Sequence, residues 1–309
     1  MSMGQLHSAL KLLGSRGVEV SCYAKLNLFL EVIKKRADGY HEIKTLFERV
    51  DLHDTLKLSS LPGKKIEIIS DHPGVPKDSS NLAYKSAQLL QESLKLDKGV
   101  RIKIIKRIPV GAGMGGGSSD AAGVLLGLDR LWGLGLTRNK LVSLAKKIGS
   151  DVPFFIYDAP FALGSGRGEK IRPVHSLQAI RLWHVLAVLP LHVSTPLIYK
   201  KWDEYSGGLL RLTIPKQNVT ILCSILKKKD LTLIEKALFN SLELVTEKVY
   251  PEVKLLKKRF VFLGLRSSLM SGSGPSIFAF VPSQQEARSF SRQLKKENKS
   301  LFVAVTRTI

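Results

Sequence analysis

The chain has 309 residues, a formal net charge of +22, 44% hydrophobic residues and two cysteines. That length suits one large or two ordinary domains, and two are expected, at 1–170 and 171–309. No apolar run approaches the roughly 20 residues that cross a bilayer, no repeat interrupts the chain, and Cys22 and Cys223 have neither zinc-site nor disulfide-framework spacing; membrane-spanning, solenoid and disulfide-scaffold classes are excluded, and a reducing cytoplasm is expected.

The positive charge admits two kinds of partner, anionic small molecules or nucleic acid. The basic residues are spread over Lys34–Lys35, Lys146–Lys147, Lys200–Lys201, Lys227–Lys229 and Lys254–Arg259 without interleaved aromatics. That is the pattern of a solvated surface, so a small-molecule partner is expected and a nucleic-acid partner is not. Met1 to Gly17 contain Lys11 and Arg16 but no acid and lack a signal peptide's apolar core; an appended terminus is expected there.

From Val18 the pattern is that of a strand. Leu26, Leu28 and Leu30 share one face, and Lys25, Asn27, Phe29 and Glu31 share the other. Lys25 and Asn27 therefore point the same way, either toward a site or toward solvent on an edge strand. In Arg36-Ala-Asp-Gly-Tyr-His41 the Asp38-Gly39 turn leaves Tyr40 and His41 side by side at its exit. Short strands are expected at Thr55–Leu58 and Ile66–Ser70, then a helix capped by Asn81 and running to Leu94, then a strand through Val100, Ile102 and Ile104.

That strand feeds Pro109-Val-Gly-Ala-Gly-Met-Gly-Gly-Gly-Ser-Ser119. Glycines at 111, 113, 115, 116 and 117 let backbone N–H groups approach a polyanion, and a helix opening at Ser118, Ser119 and Asp120 adds the partial positive charge of its N-terminus. Two other glycine motifs fail here. No acid closes a second strand about 20 residues on, as a dinucleotide fold requires, and Gly117 stands where a P-loop places lysine. The stretch reads as a cradle for nucleotide phosphates.

A helix is expected from Ser119 to Leu131, stopped by Gly133 and Gly135, and another from Thr137 to Gly149 with Leu141, Leu144, Ala145 and Ile148 on one stripe. Asp151 follows, before an apolar segment read as a strand, where it either caps the next turn or projects into a cleft. Past Glu169 a strand at Trp183–Leu189, several amphipathic helices through Lys258 and a strand at Ile277–Val281 suggest a second α+β domain. Ser271-Gly-Ser-Gly-Pro275 is either a nest of N–H groups for an anion or a plain hairpin turn.

Ala24-Lys-Leu-Asn-Leu-Phe-Leu30, Arg36-Ala-Asp-Gly-Tyr-His41, Thr45-Leu-Phe47, the glycine cradle, Gly149-Ser-Asp-Val-Pro-Phe-Phe155 and Gly166-Arg-Gly-Glu169 together resemble the galactokinase, homoserine kinase, mevalonate kinase and phosphomevalonate kinase superfamily. Within it, the resemblance is to members acting on a cytidine diphosphate-linked methylerythritol in non-mevalonate isoprenoid biosynthesis. Tyr23 departs from the pattern, which has proline before the Ala-Lys pair.

The resemblance implies a two-domain α+β small-molecule kinase fold. Its N-terminal domain would be similar to the second domain of ribosomal protein S5, its C-terminal domain ferredoxin-like, and the active site would lie between them. The implied reaction is ATP-dependent phosphorylation of the substrate's 2-hydroxyl, with Mg²⁺ accompanying the phosphates. ATP would lie along Pro109, Gly111, Gly113, Gly115, Gly116, Gly117, Ser118 and Ser119, with Asn81 and Lys106 near the adenosine. Lys25 and Asp151 would face the substrate hydroxyl, and Asn27 would help to position the substrate. His41 would read the cytosine edge while Tyr40 and Tyr199 sandwich the ring. No metal ligand is assigned.

Overall fold

The computed structural model describes residues 9–13, 17–206 and 218–309. Most of the N-terminal segment expected as an appended terminus, residues 1–8 and 14–16, lies outside them. The part that is described already forms structure: β1 (Leu10–Leu12) runs antiparallel to the start of β2 (Gly17–Lys35), with Leu12 opposite Val18.

The chain divides into two compact units, each assembled from three segments: Met1–Ala24, Leu52–Val110 and Gly115–Asp158 in the first, and Lys25–Asp51, Gly111–Met114 and Ala159–Ile309 in the second. β2 and β3 (His41–Leu61) are far longer than the short strands expected within them, and each contributes residues to both units. The alternation read at residues 26–32 is present, yet both faces are covered. Leu26, Leu28 and Phe29 are fully buried, and Lys25 is only 4% exposed. The edge-strand alternative for Lys25 is thereby removed, because β2 has β1, β3 and a parallel partner, β9 (Phe239–Asn240), along its length.

In the first unit, β3 pairs antiparallel with β5 (Gly99–Ile105), Thr55 opposite Ile105, and β5 pairs parallel with β4 (Ile66–Ile69). The helices are α1 (Leu82–Leu94), α2 (Gly116–Trp132), α3 (Arg138–Ile148) and α4 (Val152–Ile156). Asn81 caps α1 by accepting from the Ala83 N–H, and Thr137 caps α3 by accepting from Lys140, satisfying donors that a helix start leaves unpaired. α2 lies hard against the sheet: a Cβ at Gly123 would meet Cys22 Sγ at 2.3 Å, and one at Gly127 would meet Leu58 Cδ1 at 2.3 Å. The segment after Asp151, expected as a strand, is the one-and-a-half-turn α4, with Pro153 in the first turn where its missing N–H costs nothing.

In the second unit, β6 (Phe161–Ser165) pairs with β3 and with β7 (Lys170–Pro173), and β9 (Phe239–Asn240) pairs with β2 at Phe29 and Leu30. A separate antiparallel sheet is built from β8 (Trp183–Val188), β10 (Ser268–Met270), β11 (Ser276–Val281) and β12 (Phe302–Arg307), in the order β10-β11-β8-β12. Numbered along the chain within that sheet this is 2-3-1-4, the strand order of a ferredoxin-like unit. Its helices are α5 (Thr195–Ser206), α6 (Val219–Lys228), α7 (Leu231–Ala237), α8 (Glu243–Val249), α9 (Pro251–Phe262) and α10 (Gln284–Glu297). Val185, Ala187, Ile277, Ala279, Phe260 and Leu294 belong to its core.

The end of β12 is tied to β3 through polar groups. His184 Nε2 lies 2.9 Å from Glu48 Oε1, the Thr308 hydroxyl donates to the same oxygen, and Val50 bridges Thr308. The His184 and Glu48 side chains have no exposed surface.

Candidate active site

In the first unit the cradle ends differently from the sequence expectation. The helix expected from Ser119 begins at Gly116, so Gly116, Gly117 and Ser118 form its first turn. Gly115 is the N-cap at φ 68°, with no side chain capping the turn. The first-turn N–H groups of α2 therefore have no intrahelical acceptor and carry the positive end of a 17-residue helix. Ser119 is buried, and its hydroxyl has no hydrogen-bond partner.

Lys106, expected beside the adenosine, has its ammonium held between two carboxylates at this helix start. Its Nζ lies 2.6 Å from Asp54 Oδ2 and 2.7 Å from Asp120 Oδ2. A Cβ at Gly116 would stand 3.2 Å from the same nitrogen. Asp54 Oδ1 also accepts from the Arg107 and Ile108 N–H groups, so one carboxylate fixes the chain where it enters the glycine loop. Asn81 uses both ends of its amide, accepting from Ala83 and donating to Pro76 O. Asp151 occupies the N-cap position of α4, and its side chain makes no capping hydrogen bond.

In the second unit, Lys25 and Asn27 do lie together. Lys25 Nζ donates to Asn27 Oδ1 at 2.5 Å, Asn27 Nδ2 donates to Thr45 Oγ1 at 2.8 Å, and Thr45 in turn donates to Phe29 O. The Lys25 N–H donates to Met114 O, so the strand that carries this lysine is bonded to the glycine loop. Ser271-Gly-Ser-Gly-Pro275 is the hairpin connection of β10 and β11, and it packs on that loop. The Ser271 hydroxyl accepts from the Asn27 N–H and donates to Gly113 O, and Ser276 Oγ donates to Ala112 O. Gly113 is at φ +72°, and a Cβ there would stand 2.4 Å from Ser271 O. Only glycine fits. Asn240 holds the turn by donating to Met270 O and Gly272 O, each at 2.8 Å.

His41 begins β3 and is buried, whereas Tyr40 is 54% exposed. Tyr199 stacks on the His41 imidazole, with centroids 4.8 Å apart and planes at 28°. His41 Nε2 lies 2.6 Å from Asp203 Oδ1, and Lys35 bonds the other oxygen of that carboxylate. Burial pushes the Asp203 carboxyl up, but its hydrogen bonds to Lys35 and His41 outweigh this and hold it below the ordinary carboxylate range. The Arg167 guanidinium lies 4.5 Å over the Tyr40 ring.

Sequence reasoning missed Asp54 and Asp203, and it quoted Thr45, Arg167 and Ser271 in motifs without the contacts that their side chains make. For Asp54 a signal existed: it is an acid inside an alternating strand, next to a second strand that ends on a lysine. The others are contacts over long sequence separations. Among the described residues no group of three or more His, Cys, Asp or Glu side chains is placed to hold a metal ion, and no helix is long and apolar enough to cross a membrane.

Comparison with known proteins agrees with this arrangement. Residues 81–159 match the model of the GHMP kinases N terminal domain and residues 224–300 that of the GHMP kinases C terminal. The chain is 42% identical over 265 residues to 4-diphosphocytidyl-2-C-methyl-D-erythritol kinase of Geobacillus thermodenitrificans, covering 85% of this chain and 88% of the relative. It is 40% identical over 281 residues to the kinase of the same name from Acaryochloris marina, covering 88% and 89%. A crystal structure of 4-(cytidine 5'-diphospho)-2C-methyl-D-erythritol kinase superimposes with a TM-score of 0.75 at 35% identity over 93% of this chain and 98% of that one. Leishmania major mevalonate kinase in complex with R-mevalonate shares the fold, at a TM-score of 0.73 and 18% identity over 100% and 98% of the two chains. The two-unit α+β architecture, the glycine cradle that opens α2 and these similarities lead to one assignment: the chain belongs to the 4-diphosphocytidyl-2-C-methyl-D-erythritol kinases, a family of the GHMP kinases.

Proposed function

We propose that this kinase transfers the γ-phosphoryl group of ATP, taken as its Mg²⁺ complex, directly to the 2-hydroxyl of 4-diphosphocytidyl-2-C-methyl-D-erythritol. The observation that carries the reading is the first turn of α2, uncapped by any side chain, led by Gly115 and standing beside the Lys106 ammonium. Such a helix start is a seat for phosphate. Mg²⁺ arrives with the nucleotide, in keeping with its preference for phosphate oxygens and water over all-protein cages, and it neutralises phosphate charge. Two free cysteines suit work in the cytoplasm.

Phosphoryl transfer asks chiefly for positioning and charge stabilisation. The N–H groups of α2 and of the loop from Pro109 to Gly117 hold the phosphates, with Ser118 and Ser119 at the helix start and Asn81 toward the adenosine. Lys25, its ammonium oriented by Asn27, draws in the substrate hydroxyl. Asp151 accepts the hydroxyl proton. His41, braced by Asp203, reads the cytosine edge, and Tyr40 and Tyr199 supply ring surfaces. The test is ADP formation with the cytidine diphosphate-linked substrate, without it, and with mevalonate or homoserine in its place. ADP formation dependent on the cytidine substrate is expected; equal rates with mevalonate or homoserine would sink the assignment.

A further inference from the structure

One buried ionic cluster brackets the glycine loop. Lys106 precedes the loop, Asp120 follows it in α2, and Asp54 reaches both from β3. The side chains of Lys106, Asp54 and Asp120 are 5%, 0% and 5% exposed, respectively. Two carboxylates thus share one ammonium with little access to water. Their hydrogen bonding is unequal. Asp54 uses both oxygens, one for Lys106 and one for the Arg107 and Ile108 N–H groups. Asp120 uses Oδ2 for Lys106, while its Oδ1 is buried without a partner.

An unpartnered buried carboxylate oxygen is costly when ionised and far less so when it carries a proton. Asp120 lies in the second turn of the helix whose first turn is the phosphate seat, so its ionised form also opposes an arriving polyanion. We propose that Asp120 takes up a proton from solvent onto its free Oδ1 when nucleotide phosphates bind at the start of α2, and returns it when they leave. This rests on the reading of the α2 N-terminus as the phosphate seat, and it makes nucleotide affinity depend on pH through a group that never touches the nucleotide.

The surroundings permit such a step. Burial pushes the Asp120 carboxyl up, Lys106 opposes and Asp54 adds to the rise, and the result is about 7. The Cys22 thiol on β2 also faces this cluster, and burial pushes it well above its ordinary value, so it stays neutral across the relevant range. His53, next to Asp54, alternates to the other side of β3 and packs on Tyr23. The buried residues of α1, α3 and α4, which pack against α2, include no ionisable side chain.

The test is calorimetric titration with ADP at pH 7 in buffers of different ionisation enthalpy, on the unmodified enzyme and on Asp120→Asn. The unmodified enzyme is expected to take up about half a proton more per ADP bound than the variant, because a group titrating near the working pH is half-protonated before binding. Comparing the two cancels the ionisation of ADP itself. Carboxyl-carbon NMR of the unmodified enzyme gives the same answer without a variant: the Asp120 titration midpoint is expected to move upward when ADP is added. ADP binding with equal proton uptake and an unmoved midpoint would overturn the proposal alone. Absence of ADP binding to the unmodified enzyme would overturn the phosphate seat and the proposal with it.

Discussion

The His41 imidazole is held twice: Tyr199 covers one face, at 4.8 Å between centroids, and Asp203 takes its Nε2 at 2.6 Å. A histidine fixed by a carboxylate on one nitrogen presents a defined tautomer on the other, which is what discrimination between base edges needs. His41→Ala is therefore expected to erode preference for cytidine over uridine substrates by on the order of ten-fold while the KM for ATP stays nearly constant. Asp203→Asn should follow it in part. Competitive inhibition by CDP and UDP measures the effect, and an unchanged ratio in His41→Ala would move base reading elsewhere.

The loop is expected to tolerate no side chain at Gly113. Gly113→Ala meets two obstacles, the positive φ of +72° and the Ser271 carbonyl 2.4 Å from the new Cβ. Gly133→Ala meets only the first, at φ +65° with nothing within 4 Å. A left-handed residue costs roughly 1–2 kcal/mol, so Gly133→Ala should unfold somewhat earlier in urea yet keep its turnover. Gly113→Ala should lose ATP-dependent activity by at least a hundred-fold. Equal behaviour of the two variants would contradict the interlocking of loop and turn.

Gly116→Asp should weaken ATP binding with the fold retained, since its carboxylate enters the first turn of α2 beside Lys106, where a Cβ stands 3.2 Å from Nζ. Fluorescent-nucleotide titration reads the loss, and full ATP affinity in a folded variant would remove phosphate from the helix start.

Asp151→Asn preserves shape and removes the proton acceptor. Turnover should fall roughly 10²–10⁴-fold, the range of general acid–base catalysis, with far smaller changes in substrate affinity. Lys25→Ala should lose a comparable amount, and the double variant should be little worse than either. Losses that multiply would indicate independent roles, and near-normal turnover in Asp151→Asn would show that this residue is not the proton acceptor.

His184→Leu addresses the tie between β8, β3 and the end of β12. Taking a partner from a buried polar group costs about 1–3 kcal/mol, and here Glu48, with no exposed surface, would keep only the Thr308 hydroxyl. Urea denaturation should reveal the loss; a shift under about 1 kcal/mol would mean that Glu48 has found another partner.

Much of this arrangement was legible in the sequence, because capping and alternation are local. Asn81 and Thr137 cap the helices assigned to them, and the strand around Leu26–Val32 has the expected alternation. The misreadings have physical causes. α2 starts three residues before Ser119, at Gly116 and Gly117, whose poor helix propensity hides the start in the sequence. Val152–Ile156 is apolar throughout, and so short a run does not separate helix from strand. Leu10–Leu12 pairs only because β2 starts beside it. The pairings of Asp54 with Lys106, of Ser271 with Gly113 and of His41 with Asp203 join residues 52, 158 and 162 positions apart, and nothing in a local pattern announces them.

The order in which this chain leaves the ribosome conflicts with the order in which its parts are needed. The strand bearing Lys25 and Asn27 emerges early, yet it is bonded to Ser271, and Glu48 on β3 is bonded to Thr308. At 5–20 residues per second, synthesis of these residues takes roughly 15–60 s, and for most of that time the second-unit parts of β2 and β3 have each other but not the later residues that they bond. The second unit can close only after Thr308 has emerged, while the first, whose last residue is Asp158, can close at mid-synthesis. Nascent chains arrested between those points are expected to carry a protease-resistant first unit and an exposed, cleavable Lys25 strand, an interval in which a trigger-factor-like holdase would have its natural work.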